Sequence, residues 1–281
     1  MQYGIYLPNF GDEISPRALA DLACEAEDAG WDGFFLWDHI LYSKTQKLRM
    51  VDPWIALAAM AMKTERIRLG TSVTPLPRRR PWKLARETVS LDHLSNGRLI
   101  LSVGLGEPGD AEFGQFGEET DVKVRAAKLD EGLDVLAGLW RGKSFSYQGK
   151  YYQVQKTVFL PPPVQTPRIP VWVGGFWPNK GPFRRAARWD GVMPLKMEGW
   201  WLTPEDVKAV LAYIAEHRTS KAPFDIAIIG SRDTAGKGGA RGAKKVAMLA
   251  EVGATWWLEA LYLQRNSLER LQAAIRMGPP K

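Results

Sequence analysis

Apolar runs rich in β-branched and aromatic residues recur along the chain, and most are followed by a segment whose apolar residues return every three to four positions. The first run, YGIYLPNF at 3–10, reads as a strand. Behind it, Ser15 and Pro16 mark a helix start, Leu19, Leu22, Ala23 and Ala26 share one stripe, and Gly30 marks the stop. The same pairing repeats as GFFLWDH at 33–39 with a helix over 52–63, RIRLGTSVTPL at 66–76 with a helix from Trp82 to Leu94, and RLILSVGLG at 98–106 with a helix over 122–140.

The rhythm breaks over 143–168, where KSFSYQGKYYQV alternates about Gln148 and Gly149 like a hairpin and FLPPPVQTPRIP holds too many prolines for a regular element. It then resumes with strands at IPVWVGG, GVMPL, FDIAIIG and TWWLEAL, helices near 180–189 and 241–252, and a closing helix in NSLERLQAAIRM. Eight strands alternating with eight helices predict a parallel α/β chain. The reading is a (β/α)8 TIM barrel forming one domain over 1–281, with the hairpin and proline-rich loop as an excursion between the fourth helix and the fifth strand. The other parallel architecture, a doubly wound sheet, normally carries GxGxxG after its first strand, and this chain has LPNFGDE there. Walker, HExxH, GxSxG and CxxC motifs are absent.

Composition narrows the setting. With 281 residues, 45% of them hydrophobic, the chain can bury a barrel-sized core. No window approaches the ~18 apolar residues of a membrane span. The start MQYGIYLPNF lacks the basic-then-apolar order of a secretory leader, and the single Cys24 cannot form an internal disulfide, so a cytoplasmic protein is expected. A net charge of +7 admits nucleic acid as a partner, but the basic residues interleave with acids and no nucleic-acid-binding signature accompanies them, so none is expected. Two basic clusters stand apart: Arg78 to Arg80 in a turn between prolines, and Arg184, Arg185 and Arg188, which read as a solvated helix face.

In such a barrel the carboxyl ends of the strands form the active face. They bring up Asn9, then Trp37, Asp38 and His39, then Thr71, Ser72 and Val73, then Gly104 to Glu107, Gly174 and Gly175, and finally Lys196. His39 is one of three histidines and abuts a carboxylate, a placement suited to moving a proton near neutral pH. His93 and His217 lie within helical patterns. Gly174 and Gly175 would let backbone amides approach a phosphate. Trp37, Trp177, Trp200 and Trp201 fall near this face and would wall an apolar pocket.

The blocks WDHI, TERIRLGTSVTPLPRRRPWKLARETVSLDHLSNGRLILSVGLGE, PPPVQTPRIPVWVGG and RAARWDGVMPL together resemble the bacterial luciferase-like flavin-dependent oxidoreductases. The resemblance implies a TIM barrel that binds FMN or the deazaflavin F420 across its carboxyl face. It would set Thr71, Ser72 and Val73 beside the ring, Gly104, Leu105 and Gly106 flanking it, and Gly174, Gly175 and Phe176 at the phosphate. It also implies a non-prolyl cis peptide at Ser72–Val73, with Asp38, His39 and Glu107 as catalytic groups. The leading expectation is a monooxygenase using reduced FMN on a small organic substrate. Its alternatives are F420-dependent hydride transfer and a barrel that binds flavin without catalysis. A reductase supplying reduced cofactor and a homodimer are implied as partners. The loops at 41–51, 107–122 and 197–203 would shape the substrate pocket. Arg78 to Arg80 would stand at the mouth, facing an acidic cofactor tail or substrate, or form a solvated turn.

Overall fold

A computed structural model describes residues 1–197, 201–230, 239–261 and 267–280. The chain runs β1 (Gln2–Leu7), α1 (Pro16–Asp28), β2 (Gly33–Leu36), α2 (Pro53–Lys63), β3 (Arg68–Thr71), β4 (Thr74–Pro75), α3 (Pro81–Leu94) and β5 (Leu99–Gly104). It continues with α4 (Gly109–Glu112), α5 (Val122–Trp140), β6 (Phe145–Gln148), β7 (Gln153–Thr157), β8 (Val171–Trp177), α6 (Lys180–Ala186) and β9 (Gly191–Lys196). Last come α7 (Pro204–His217), β10 (Asp225–Gly230), α8 (Gly239–Glu251), β11 (Trp256–Ala260) and α9 (Leu268–Arg276).

Parallel pairing runs β1, β2, β3, β5, β8, β9, β10, β11 and back to β1, so eight strands close a barrel. The register is set by alternation. On β11, Trp256, Leu258 and Ala260 point into the barrel while Trp257 joins the layer under the helices. On β2, Phe35 points in and Phe34 and Leu36 point out. Phe35, Trp172 and Trp256 fill the barrel interior, with ring centroids 5.2 to 5.7 Å apart. The interior is therefore solid below, and chemistry is confined to its upper rim.

The helix starts obey their caps. Ser15 accepts the Ala18 amide at 3.1 Å, and Asp52 accepts Trp54 and Ile55 at 2.8 and 3.0 Å, each cap followed by a proline at the first helical position. The excursion is a true hairpin, with β6 and β7 antiparallel. Two helix carboxylates dock it. Glu131 on α5 accepts the amides of Lys150, Tyr151 and Tyr152, and Asp92 on α3 accepts those of Val164 and Gln165. No helix of the described residues is long and apolar enough to cross a membrane.

The single strand expected over 66–76 is corrected. The chain switches neighbours within it: Leu36 and Thr71 are register partners of β2 and β3, whereas Thr74 and Pro75 pair with Val103 and Gly104 of β5. The Ser72–Val73 peptide between them is cis, as the resemblance implied. The first two strands are also shorter than expected. They end at Leu7 and Leu36, leaving Asn9 and residues 37–39 free to turn onto the rim.

Candidate active site

Asn9, buried after β1, ties the rim together. Its amide donates to the carbonyls of His39 (2.8 Å) and Val51 (2.7 Å), and its Oδ1 accepts the His39 N–H at 3.3 Å. This fixes the backbone on which Asp38 and His39 stand. The His39 ring sits among Tyr42, Trp37 and Phe10, with centroids 5.0, 5.5 and 6.3 Å away.

Asp38 and His39 point to different partners. The Asp38 carboxylate is buried and accepts from Arg79 at 2.8 and 2.9 Å, Arg78 at 2.9 Å, Thr74 Oγ1 at 2.8 Å and Trp54 Nε1 at 3.1 Å. Burial pushes its pKa up, but the guanidiniums of Arg79 and Arg78 outweigh that and hold the carboxyl below its ordinary value. His39 Nδ1 lies 2.8 Å from Oε1 of Glu112, a fully buried acid at the end of α4. Glu112 also contacts Nη1 of Arg78 and accepts the Ile40 and Leu41 amides at 3.3 Å. Two carboxylates thus face two guanidiniums, and no net negative charge is left to protonate His39. Burial draws its imidazole down to about 4, with Asp38 opposing and Arg78 adding to the shift. At neutral pH, Nδ1–H donates to Glu112 and Nε2 is left as the acceptor.

The expectation that Arg78 to Arg80 face the mouth or solvent is therefore corrected for the first two. Arg78 and Arg79 turn inward because a buried Asp38 and Glu112 demand counter-charges, and only Arg80 stays exposed. Glu107 is not brought against His39. Its side chain is 59% exposed, 3.5 Å from Arg125, and accepts the Gly109 amide at 3.0 Å. The acid that does meet His39, Glu112, was missed because it lies in a segment with no periodic pattern.

The cofactor candidates divide. Thr71 is sealed in the wall, donating to the Ser102 carbonyl at 3.2 Å, and Ser72 is buried beside Met193. A Cβ on Gly104 would lie 2.6 Å from a Val73 methyl, and one on Gly174 would lie 2.8 Å from the other, so Val73 occupies the space both glycines leave. A Cβ on Gly175 would meet Pro182 at 2.2 Å, which is how α6 approaches β8. Gly106 has φ +85°, which alone favours glycine. Leu105, Gly174, Gly175 and Phe176 are half-buried and keep the ends of β5 and β8 open at the rim. Trp177 instead packs against Phe183 and Tyr213 beneath α6, and Trp200 lies outside the described residues. His93 and His217 are helical, each bonded to a backbone carbonyl.

Half-buried Tyr6, Val73, Leu195 and Trp201 lie on the aromatic barrel interior and form an apolar floor. Such a floor fits the flat face of a flavin or deazaflavin ring. The family model described as luciferase-like monooxygenase matches residues 1–232. The chain belongs to the luciferase-like monooxygenase family. A Mycobacterium tuberculosis protein of uncharacterized function is 33% identical to this luciferase-like chain over 227 residues, 74% of each. An F420-dependent glucose-6-phosphate dehydrogenase of Nakamurella multipartita is 32% identical over 171 residues, 59% of this chain and 49% of that enzyme. Among solved structures, the F420-dependent tetrahydromethanopterin reductase of Methanopyrus kandleri superposes with a TM-score of 0.77 at 17% identity, covering 98% of this chain and 96% of the reductase. At that identity the likeness shows the shared barrel.

The depressed His39 pKa makes the stability of this luciferase-like barrel depend on pH. Unfolded, the imidazole takes a proton near 6.5; folded, it does so only near 4. The unfolded chain thus binds more protons between those values, and stability falls as pH drops through that window, by about 3 kcal/mol from this group. Urea unfolding at pH 7 and pH 4.5 should show a smaller loss in His39→Gln than in the wild type. An equal loss would place the ordinary pKa in the folded state.

Proposed function

We propose that the chain is an F420-dependent oxidoreductase that moves a hydride to or from a small alcohol or its carbonyl. The observation that carries this reading is the 2.8 Å contact between His39 Nδ1 and the buried Glu112, which would pin the Nδ1–H tautomer and leave Nε2 to take the hydroxyl proton as the carbinol hydride departs. Glu112, itself held by Arg78, fixes the orientation of the ring for that transfer. Support for the deazaflavin comes from the relative whose name states F420 dependence. Bound, that cofactor supplies two-electron hydride chemistry. Val73 and the Ser72–Val73 backbone would back the ring, Gly104 to Gly106 would flank it, and the half-buried Gly174 to Phe176 backbone would meet its phosphate.

Separate titrations with F420 and FMN, followed by absorbance, test the assignment. Saturable micromolar binding of F420, and none of FMN, is the expected result. The reverse preference would return the reading to a reduced-FMN monooxygenase. Binding of either without turnover of any alcohol or carbonyl would favour a non-catalytic flavin-binding barrel.

A further inference from the structure

We infer that the cleft between the start of α3, the 117–119 turn, α5 and the hairpin is a second binding site, for a small oxyanion such as a phosphate or carboxylate. The cleft has a volume of about 360 Å³, and His39, Val73 and Phe176 do not line it. It lies beside the rim described above and shares only Arg78 and Arg79 with that cluster.

Three donors on its walls lack partners. Lys128, half-buried on α5, and Arg80, at the N-cap of α3, make no ion pair with any described residue. Tyr152 is only 6% exposed, yet its hydroxyl has no hydrogen-bond partner among the described residues. The hydroxyl is not among the buried atoms left without a partner, so it opens to the cleft and is free to donate to a group that arrives there. Its position is not incidental, because Glu131 clamps the Tyr151 and Tyr152 amides at 2.8 and 3.0 Å and so sets the ring. Burial pushes the phenol up to about 12 while Arg80 pulls it down, so it stays protonated and can only donate to an anion at neutral pH.

Two acids also line the cleft, and both lie on the exposed turn. Glu119 is held by the Asp121 amide at 2.8 Å, which leaves Glu118 as the acid nearest the opening. Arg78 and Arg79 form the floor, already engaged from behind by Asp38 and Glu112. A phosphate or carboxylate satisfies two cations and a hydroxyl at once, whereas an amine would satisfy only the solvated acids.

Calorimetric titration of the full chain with inorganic phosphate tests this. The wild type should bind phosphate saturably, and Lys128→Gln and Tyr152→Phe should each weaken it at least fivefold. Absence of binding, equal affinity in both variants, or variant-sensitive binding of ammonium instead of phosphate would overturn the inference. Repeating the titration at saturating F420 identifies the source. Undiminished phosphate binding indicates a free oxyanion, and competition that Lys128→Gln relieves indicates an acidic group of the cofactor itself.

Discussion

His39→Ala is expected to lower turnover 10²- to 10⁴-fold while leaving cofactor affinity within a factor of a few, because a positioned proton acceptor is worth that much in the transition state and little in the ground state. The imidazole is held by Asn9 through its backbone and by Glu112 through Nδ1, so its loss removes one acceptor and disturbs little else. Two further variants separate the acids. Glu112→Gln can still meet Arg78 poorly and His39 not at all as a carboxylate, so the tautomer that exposes Nε2 loses its support, and a loss of tenfold or more is expected. Glu107→Gln should change turnover far less, since that side chain is mostly in solvent and its contacts are Arg125 and the Gly109 amide. Steady-state kinetics with separate kcat and KM, alongside cofactor titration, distinguish these outcomes. If Glu107→Gln proves as damaging as His39→Ala, the proton path runs through Glu107.

Much of the barrel was legible because its signals are local. Ser15 with Pro16, and Asp52 with Pro53, announce helices through contacts two or three residues away, and period-two burial along Trp256 to Ala260 states which side is in. The rim was legible only as a set of strand ends. What those ends touch depends on partners 30 to 73 positions off: Asn9 with His39, Asp38 with Arg78 and Arg79, and Glu112 with His39. Nothing in PRRRP says whether a guanidinium in a stiff turn points outward. That was decided by two carboxylates sealed behind the turn, one of them on α4, a single helical turn with no amphipathic pattern to reveal it. The glycines were ambiguous for a related reason. Gly104 and Gly174 fit a cofactor cradle and fit Val73 equally well, and only the side-chain position chooses between them.

Asp38→Ala is expected to cost about 3–5 kcal/mol of folding stability, a large effect for one surface-distant substitution, because it strips the counter-charge from two buried guanidiniums. Arg78 is 6% exposed and Arg79 17%. Arg78 would retain Glu112, but Arg79 would be left with Glu87 at 3.8 Å, too far to replace bonds at 2.8 and 2.9 Å. Thr74 and Trp54 would lose an acceptor as well. The contribution has a defined sign with pH. Asp38 titrates below its ordinary 3.8 when folded, so its stabilisation is complete above that value and fades as pH falls beneath it, outside the His39 window. The pair is separable from general damage by a double-mutant cycle. Asp38→Asn and Arg79→Gln should each destabilise, and together they should cost less than their sum by roughly 1–3 kcal/mol, since the second change removes the charge that the first left unpaired. Urea midpoints at constant slope give the three values. Strict additivity would mean that Asp38 and Arg79 do not share the buried pair described here, and that the rim beneath His39 is held by Glu112 and Asn9 alone.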